Sequence, residues 1–188
     1  GPMPTSTESR AQLRAQMRRK RLVRFDKRFA SYATTAYVAS VGADLVMFLL
    51  IDDRIRFDGF QILRIRDLRG LREEPRAEFV ETVLRRRRLR RPATPRIRLG
   101  RFGDALRSAS RQFPLVAIHR ERADPDVCHI GAVVEVQEHR VVLREVDTSA
   151  GWEDELDHYS LREITRLDFG GGYEDALDIA SGKQPPLR

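Results

Sequence analysis

The sequence predicts an α+β, mainly β protein made of two five-stranded barrels in tandem, each preceded by a helix. Two observations carry that expectation: a long internal repeat, and short stretches in which apolar and polar residues alternate. Residues 38–52 align with residues 133–147 without a gap, at an offset of 95. Val38 matches Val133, Val41 matches Val136, Val46 matches Val141, Phe48 matches Leu143, Ile51 matches Val146 and Asp52 matches Asp147. One inserted residue later the match resumes at an offset of 96, where Ile65, Asp67, Leu68 and Leu71 meet Leu161, Glu163, Ile164 and Leu167. Upstream, residues 22–25 match residues 115–118. A repeat of this length sets the architecture before any single residue does.

Each copy reads as strands. Residues 141–146 are too short for a helix and rich in β-branched residues. Residues 42–44 and 137–140 have the polar character of tight hairpin connections. Residues 148–155 read as a polar loop between strands, with residues 53–59 as its counterpart. Helix formers fill residues 7–20 ahead of the first copy. Residues 101–112 precede the second, with Phe102, Leu106 and Ala109 on one face. A helix over residues 76–89 would turn Phe79, Val83 and Leu84 inward. Gly170, Gly171 and Gly172 break the chain before a short helix at residues 173–180, and residues 181–188, with two prolines, read as a loose tail. Pro92 and Pro95 mark a semi-rigid linker. The expected domains are therefore residues 1–91 (helix, first barrel, basic helix) and residues 92–188 (linker, helix, second barrel, short final helix).

Charge narrows the function. The net charge is +7, unevenly spread. Residues 120–188 hold 8 Lys/Arg against 16 Asp/Glu, a net −8, which leaves +15 on residues 1–119. A basic part suits a polyanion, and an acidic part repels one. No apolar run reaches the length of a membrane span. Gly1 and Pro2 ahead of Met3 read as a protease-cleavage scar, and no secretory signal is seen. The single Cys128 cannot form an internal disulfide or an ordinary zinc site, so it reads as a small buried hydrophobe in a cytoplasmic protein.

The order of a helix and then five short strands, carried by residues 115–118, 130–136, 141–146, 158–164 and 166–169, resembles the Sm-like family of SH3-like barrels. Residues 22–25, 37–41, 46–51 and 61–65 with Leu71 fill the same roles in the first copy. A ribosome-maturation factor with a similar barrel is similar to a like degree. The resemblance implies edge-to-edge oligomers that bind single-stranded RNA through loops near strands three and five. Asp52 and Asp147 stand where that family carries an RNA-contacting Asn, and its Arg-Gly at the fifth strand is absent. The second copy also carries Glu153, Asp154, Glu155 and Asp157 in its loops, which would repel phosphate.

The sharpest local signal is Arg85, Arg86, Arg87, Arg88, Arg90 and Arg91, joined by Arg18, Arg19, Lys20 and Arg21. Guanidinium groups pair with phosphate and stack on bases, so these ten are the expected RNA contacts. Phe25, Phe29, Tyr32 and Phe102 read as core residues. Trp152, in its polar loop, and His158 with Tyr159 are candidate interaction residues; a lone loop aromatic packs as a lid or anchors a partner. No nucleophile–base arrangement, phosphate loop or metal spacing is present, and the four histidines are scattered. A PilZ-type nucleotide site is excluded as well. Gly151 comes one residue early after Asp147 and Ser149, and no Arg pair lies just upstream. The expectation is a cytoplasmic, non-enzymatic RNA-binding protein with no cofactor and no metal. The alternative is a scaffold that self-assembles through barrel edges and basic–acidic complementarity, as a homo-oligomer or with a protein partner.

Overall fold

The computed structural model describes residues 1–188, which divide into two units, Gly1–Thr94 and Pro95–Arg188. In the first unit α1 (Ser6–Arg19) leads into β1 (Leu22–Lys27), β2 (Thr34–Val41), β3 (Leu45–Ile51) and β4 (Phe57–Arg64). A 3-10 turn at Ile65–Asp67, β5 (Leu68–Glu73) and α2 (Ala77–Arg86) follow. α1 starts where Thr5 and Glu8 form a reciprocal cap: Thr5 Oγ1 accepts from the Glu8 N–H at 3.2 Å, and the Glu8 carboxylate accepts from the Thr5 N–H at 2.9 Å. It ends at Lys20, in the left-handed region at φ 53°, with Arg18 and Arg19 in its last turn, where cations suit the helix dipole.

The strand order is β5-β1-β2-β3-β4, all antiparallel. Leu13 of α1 is fully buried among Val23, Phe25, Ala36, Val38, Val46, Phe48, Leu63 and Ile65. Phe25 and Phe48 stack there with centroids 4.2 Å apart. Side chains alternate across a strand, so Tyr37, between Ala36 and Val38, faces the other way. Its hydroxyl donates to Glu81 of α2 at 3.1 Å. α1 therefore packs on one face of this sheet, and Glu81 of α2 meets a side chain of the other.

The second unit repeats the succession. α3 (Phe102–Ser110), β6 (Val116–His119), β7 (Cys128–Val136), β8 (Arg140–Val146) and β9 (Trp152–Ser160) precede a 3-10 turn at Leu161–Glu163, β10 (Arg166–Phe169) and α4 (Gly172–Ser181). The order is β10-β6-β7-β8-β9. Phe102, Ala105, Leu106 and Ala109 bury the inner side of α3. Leu177 of α4 packs with Leu115, Ala117, Ile130 and Val146.

The likeness extends to single bonds. The β2–β3 register shifts between Val38 and Ser40, and the β7–β8 register shifts 95 residues later, between Val133 and Glu135. The β3–β4 and β8–β9 ladders shift at Leu49/Ile51 and Arg144/Val146, again 95 apart. Asp52 Oδ1 accepts from the N–H groups of Arg54 and Arg56, and Asp147 Oδ1 accepts from those of Ser149 and Gly151. Each turn places one residue at positive φ, Ile55 at 57° and Ala150 at 63°. Both carboxylates are thus committed to building a turn, a usual role for Asp.

Several expectations are corrected. The ten strands form open antiparallel sheet with four helices, not two closed five-stranded barrels. In neither unit is the fourth strand paired with the fifth. In the first unit the carbonyls of Leu68, Gly70 and Leu71 accept from the side chains of Arg69, Arg72 and Gln12, which leaves these acceptors to side chains rather than to a closing strand. Phe79 is 49% exposed, because Val80 and Leu84 form the buried stripe of α2. Tyr32 is 56% exposed, with the Lys27 ammonium 4.9 Å from its ring centre. Cys128 opens β7 at the end of the ladder and is exposed, not a core residue. Trp152 is no loop residue: it begins β9, opposite Val146. Residues 153–155 are polar because that strand exposes them, not because they form a loop.

Candidate functional site

The ten basic residues expected to contact RNA all lie in the first unit and are all exposed. That unit carries 22 Lys/Arg against 11 Asp/Glu, a net +11, while the second carries 13 against 17, a net −4. None of the ten side chains forms an ion pair. Arg18, Arg19, Lys20 and Arg21 close α1. Arg85 and Arg86 end α2, and Arg87, Arg88, Arg90 and Arg91 follow it.

Local contacts separate the members of the second cluster. Arg87 is structural, donating to the carbonyls of Arg54 and Ile55 at 2.5 and 3.1 Å, and so tying α2 to the β3–β4 turn. The Arg91 guanidinium lies 4.6 Å from the Tyr37 ring centre. Burial first, and then Glu81, push the Tyr37 hydroxyl up to about 12, so it stays a donor. Arg85 reaches Thr82 at 3.4 Å. Arg86, Arg88 and Arg90 remain turned to solvent without a partner in the chain. Phe79, under the Arg76 guanidinium at 4.5 Å, and Tyr32 add exposed aromatic faces to the same unit.

The second unit holds a different cluster, built on β7, β8 and β9. His129 Nδ1 lies 3.1 Å from Glu145 Oε1 and 2.9 Å from the Tyr159 hydroxyl. That hydroxyl donates to Glu145 Oε2. The His129 and Tyr159 ring centres are 4.5 Å apart, and the Arg120 guanidinium lies 4.9 Å from the Tyr159 ring. Burial is the largest cause pushing Glu145 up to about 7, followed by its hydrogen bond to Asp157, against which the Tyr159 hydroxyl acts. His129 is pushed down, by burial and then by Arg120. With Glu145 ionised, the Nδ1–H of His129 and the O–H of Tyr159 can each donate to a separate carboxylate oxygen. With Glu145 protonated, it shares its proton with Asp157.

Glu145, Glu153 and Asp157 also place one ligand oxygen each within 4.8 Å of one another. Three carboxylate oxygens are the donor type a hard divalent cation takes. Of the candidate interaction residues, Tyr159 belongs to this cluster. His158 is exposed, and its neighbours in the strand, Asp157 and Tyr159, point to the other face. Trp152 packs against the core cluster that holds Leu115, Ile130, Val146 and Leu177. Sequence reasoning set His129 aside as scattered and read Glu153 and Asp157 as a solvated loop. A usable signal was present: Glu145 is a carboxylate at the repeat position of Leu50, in a strand otherwise spaced like its counterpart.

No helix is long and apolar enough to cross a membrane. No family model matches the chain, and no curated protein matches it. Two solved structures show a distant likeness. One is K. pneumonia MrkH in its apo state, with 10% identity over 94% of this chain and 89% of that one, at a TM-score of 0.19. The other is a 2.65 Å crystal of the same protein, with 10% identity over 96% and 91%, at a TM-score of 0.20. At these values the likeness carries no argument about fold or function.

Proposed function

We propose that the chain is a non-enzymatic RNA-binding protein whose contacts are made by its basic first unit. The observation that carries this reading is the state of the ten basic side chains: all are exposed and none is neutralised by a carboxylate of the chain. Unpaired guanidinium groups release counterions when they meet phosphate, which makes affinity steeply salt-dependent. Tyr32 and Phe79 supply exposed rings of the kind on which single-stranded bases stack. The acidic second unit lies outside this interface. A cytoplasmic setting belongs to the same reading, since Cys128 is an exposed free thiol that a reducing compartment keeps reduced.

The test uses Arg86, Arg88 and Arg90, which hold nothing together in the fold. Changing all three to Ala should leave the melting temperature unchanged, weaken binding to a single-stranded RNA oligomer, and lower the slope of log K against log salt by about 2, at roughly 0.7 per phosphate contact on a single strand. RNA retention equal to wild type at all salt concentrations would show the reading to be wrong.

A second reading is self-assembly through complementary charge. It draws on β9, whose Glu153, Asp154 and Glu155 are exposed in a unit of net negative charge, while the other unit is net positive. Sedimentation across salt decides it, because a monomer at every concentration and ionic strength removes it.

A further inference from the structure

Arg144 is 2% exposed, yet no carboxylate pairs with it. Its Nε donates to the Glu153 carbonyl at 2.9 Å, its Nη1 donates to the Pro185 carbonyl, and its Nη2 is buried without any partner. The guanidinium carbon lies 5.8 Å from the Trp152 ring centre. Trp152 Nε1 in turn donates to the Gly182 carbonyl at 3.4 Å. A buried guanidinium is costly; the Arg144 guanidinium and the Trp152 indole are donors, and the Glu153 carbonyl takes only the Nε–H among them. At the matching places the first unit has Leu49 and Phe57, so the site belongs to the second unit alone.

What fills the groove is the chain's own tail. Residues 183–188 form no helix or strand and are exposed. The two carbonyls that the groove engages, Gly182 and Pro185, are three residues apart. Gly182 leaves α4 at φ 64°, a left-handed conformation that glycine accommodates, and the tail beyond it runs back to Arg144. Pro185 and Pro186 lack N–H groups, so at these two positions the tail brings acceptors without donors that would need satisfying. The remaining donors of Arg144 and Trp152 are chemically matched to the tail's carbonyls.

We propose that the Arg144–Trp152 groove is a recognition site for an extended, proline-containing segment of a partner protein, held closed in the free chain by residues 182–186. The idle Nη2 of Arg144 is where a partner gains over the tail, because one further carbonyl or carboxylate oxygen satisfies it. The tethered tail competes at an effective concentration on the order of millimolar, so the groove admits a partner segment only above that threshold.

Trp152 is the single tryptophan, so its fluorescence reports the groove directly. The experiment compares the full-length chain with its full-length P185A/P186A variant, each titrated with a synthetic peptide of residues 181–188. In the free variant the Trp152 emission should move to longer wavelength. The peptide should then restore it saturably, binding the variant about tenfold more tightly than wild type, and a peptide with both prolines changed to Ala should not. Arg144→Met should abolish the peptide response in either background. Identical emission in wild type and variant, or equal peptide affinity for both, would overturn the proposal. So would a concentration-dependent dimer lost in P185A/P186A, which would make the occupant a second copy's tail. Binding of inorganic phosphate in competition with the peptide would also count against it, as it would make the groove an anion site.

Discussion

β3 and β8 occupy the same place in the two units, carry the same register shifts and end in the same Asp turn, yet they solve burial differently. β3 reads Leu45–Ile51 and is apolar throughout, with Leu49 1% exposed. β8 places Arg144 and Glu145 where β3 has Leu49 and Leu50. The first unit also has a buried carboxylate, Glu74. Burial pushes it up, but the Thr35 hydroxyl at 2.6 Å, the Arg76 N–H and the Arg24 guanidinium more than offset that and leave it below its ordinary value. Glu145 has fewer such donors and two carboxylate neighbours, and it is pushed the other way. One backbone plan thus carries an apolar core strand in one unit and, in the other, a strand with a buried guanidinium and a half-buried carboxyl group. Those charges specify the tail groove on one face of β8 and the carboxylate cluster on the opposite face.

The largest way to break the comparison is to give β3 the side chain of β8. Leu49→Arg would bury a guanidinium with no tail to accept from it. Loss of about 4 kcal/mol or more is expected, enough to unfold the chain in thermal denaturation. A melt like that of wild type would show that the first unit tolerates the charge too. The second concerns close approach. A Cβ on Gly131 would sit 2.3 Å from the Arg144 carbonyl, whereas the matching Ala36 is buried in the first core. Gly131→Ala should cost about 2–3 kcal/mol in denaturant unfolding, and an unchanged midpoint would mean that β8 moves freely.

The third concerns Glu145. Its folded value, about 7, lies above the ordinary 4.5, so the folded state binds more protons than the unfolded state between those limits. Stability contributed by the protonated form is complete below about pH 4.5 and is lost as pH rises through about 7. Glu145→Gln should remove that slope and stabilise the chain at pH 8 relative to wild type by on the order of 2–3 kcal/mol. Parallel stability-against-pH curves for the two proteins would sink this assignment. The smallest effect lies in the matched turns. Ile55, β-branched at φ 57°, is more strained than Ala150 at 63°. Ile55→Gly should stabilise by roughly 0.5–1 kcal/mol, and Ala150→Gly by less. Equal gains would mean that the β-branch adds no strain.

The charge split, the strand-rich repeat and the hairpins were readable without coordinates, because each rests on local spacing. The pairing of Asp52 with the turn after β3, and of Asp147 with the turn after β8, follows from neighbours within four residues. Helix α2 was expected, but its buried face was not. Phe79 looked like the anchor by size, and Val80 with Leu84 took that place because the helix is turned by the Glu81–Tyr37 and Arg87–loop bonds, whose partners lie more than thirty residues away. The carboxylate cluster was invisible for the same reason: His129, Glu145 and Asp157 sit on three strands, and only the ladder brings them together.

By itself, then, the sequence determined the two matched units, their strand-rich character and the placement of positive charge, since alternation, turn chemistry and composition act over a few residues. The tertiary structure alone decided that the sheet stays open, that Arg87 is spent on the β3–β4 turn, and that Arg144 meets a carbonyl forty-one residues further along the chain. Those outcomes depend on which donors and acceptors remain unsatisfied after the strands have paired, a quantity that no local pattern contains.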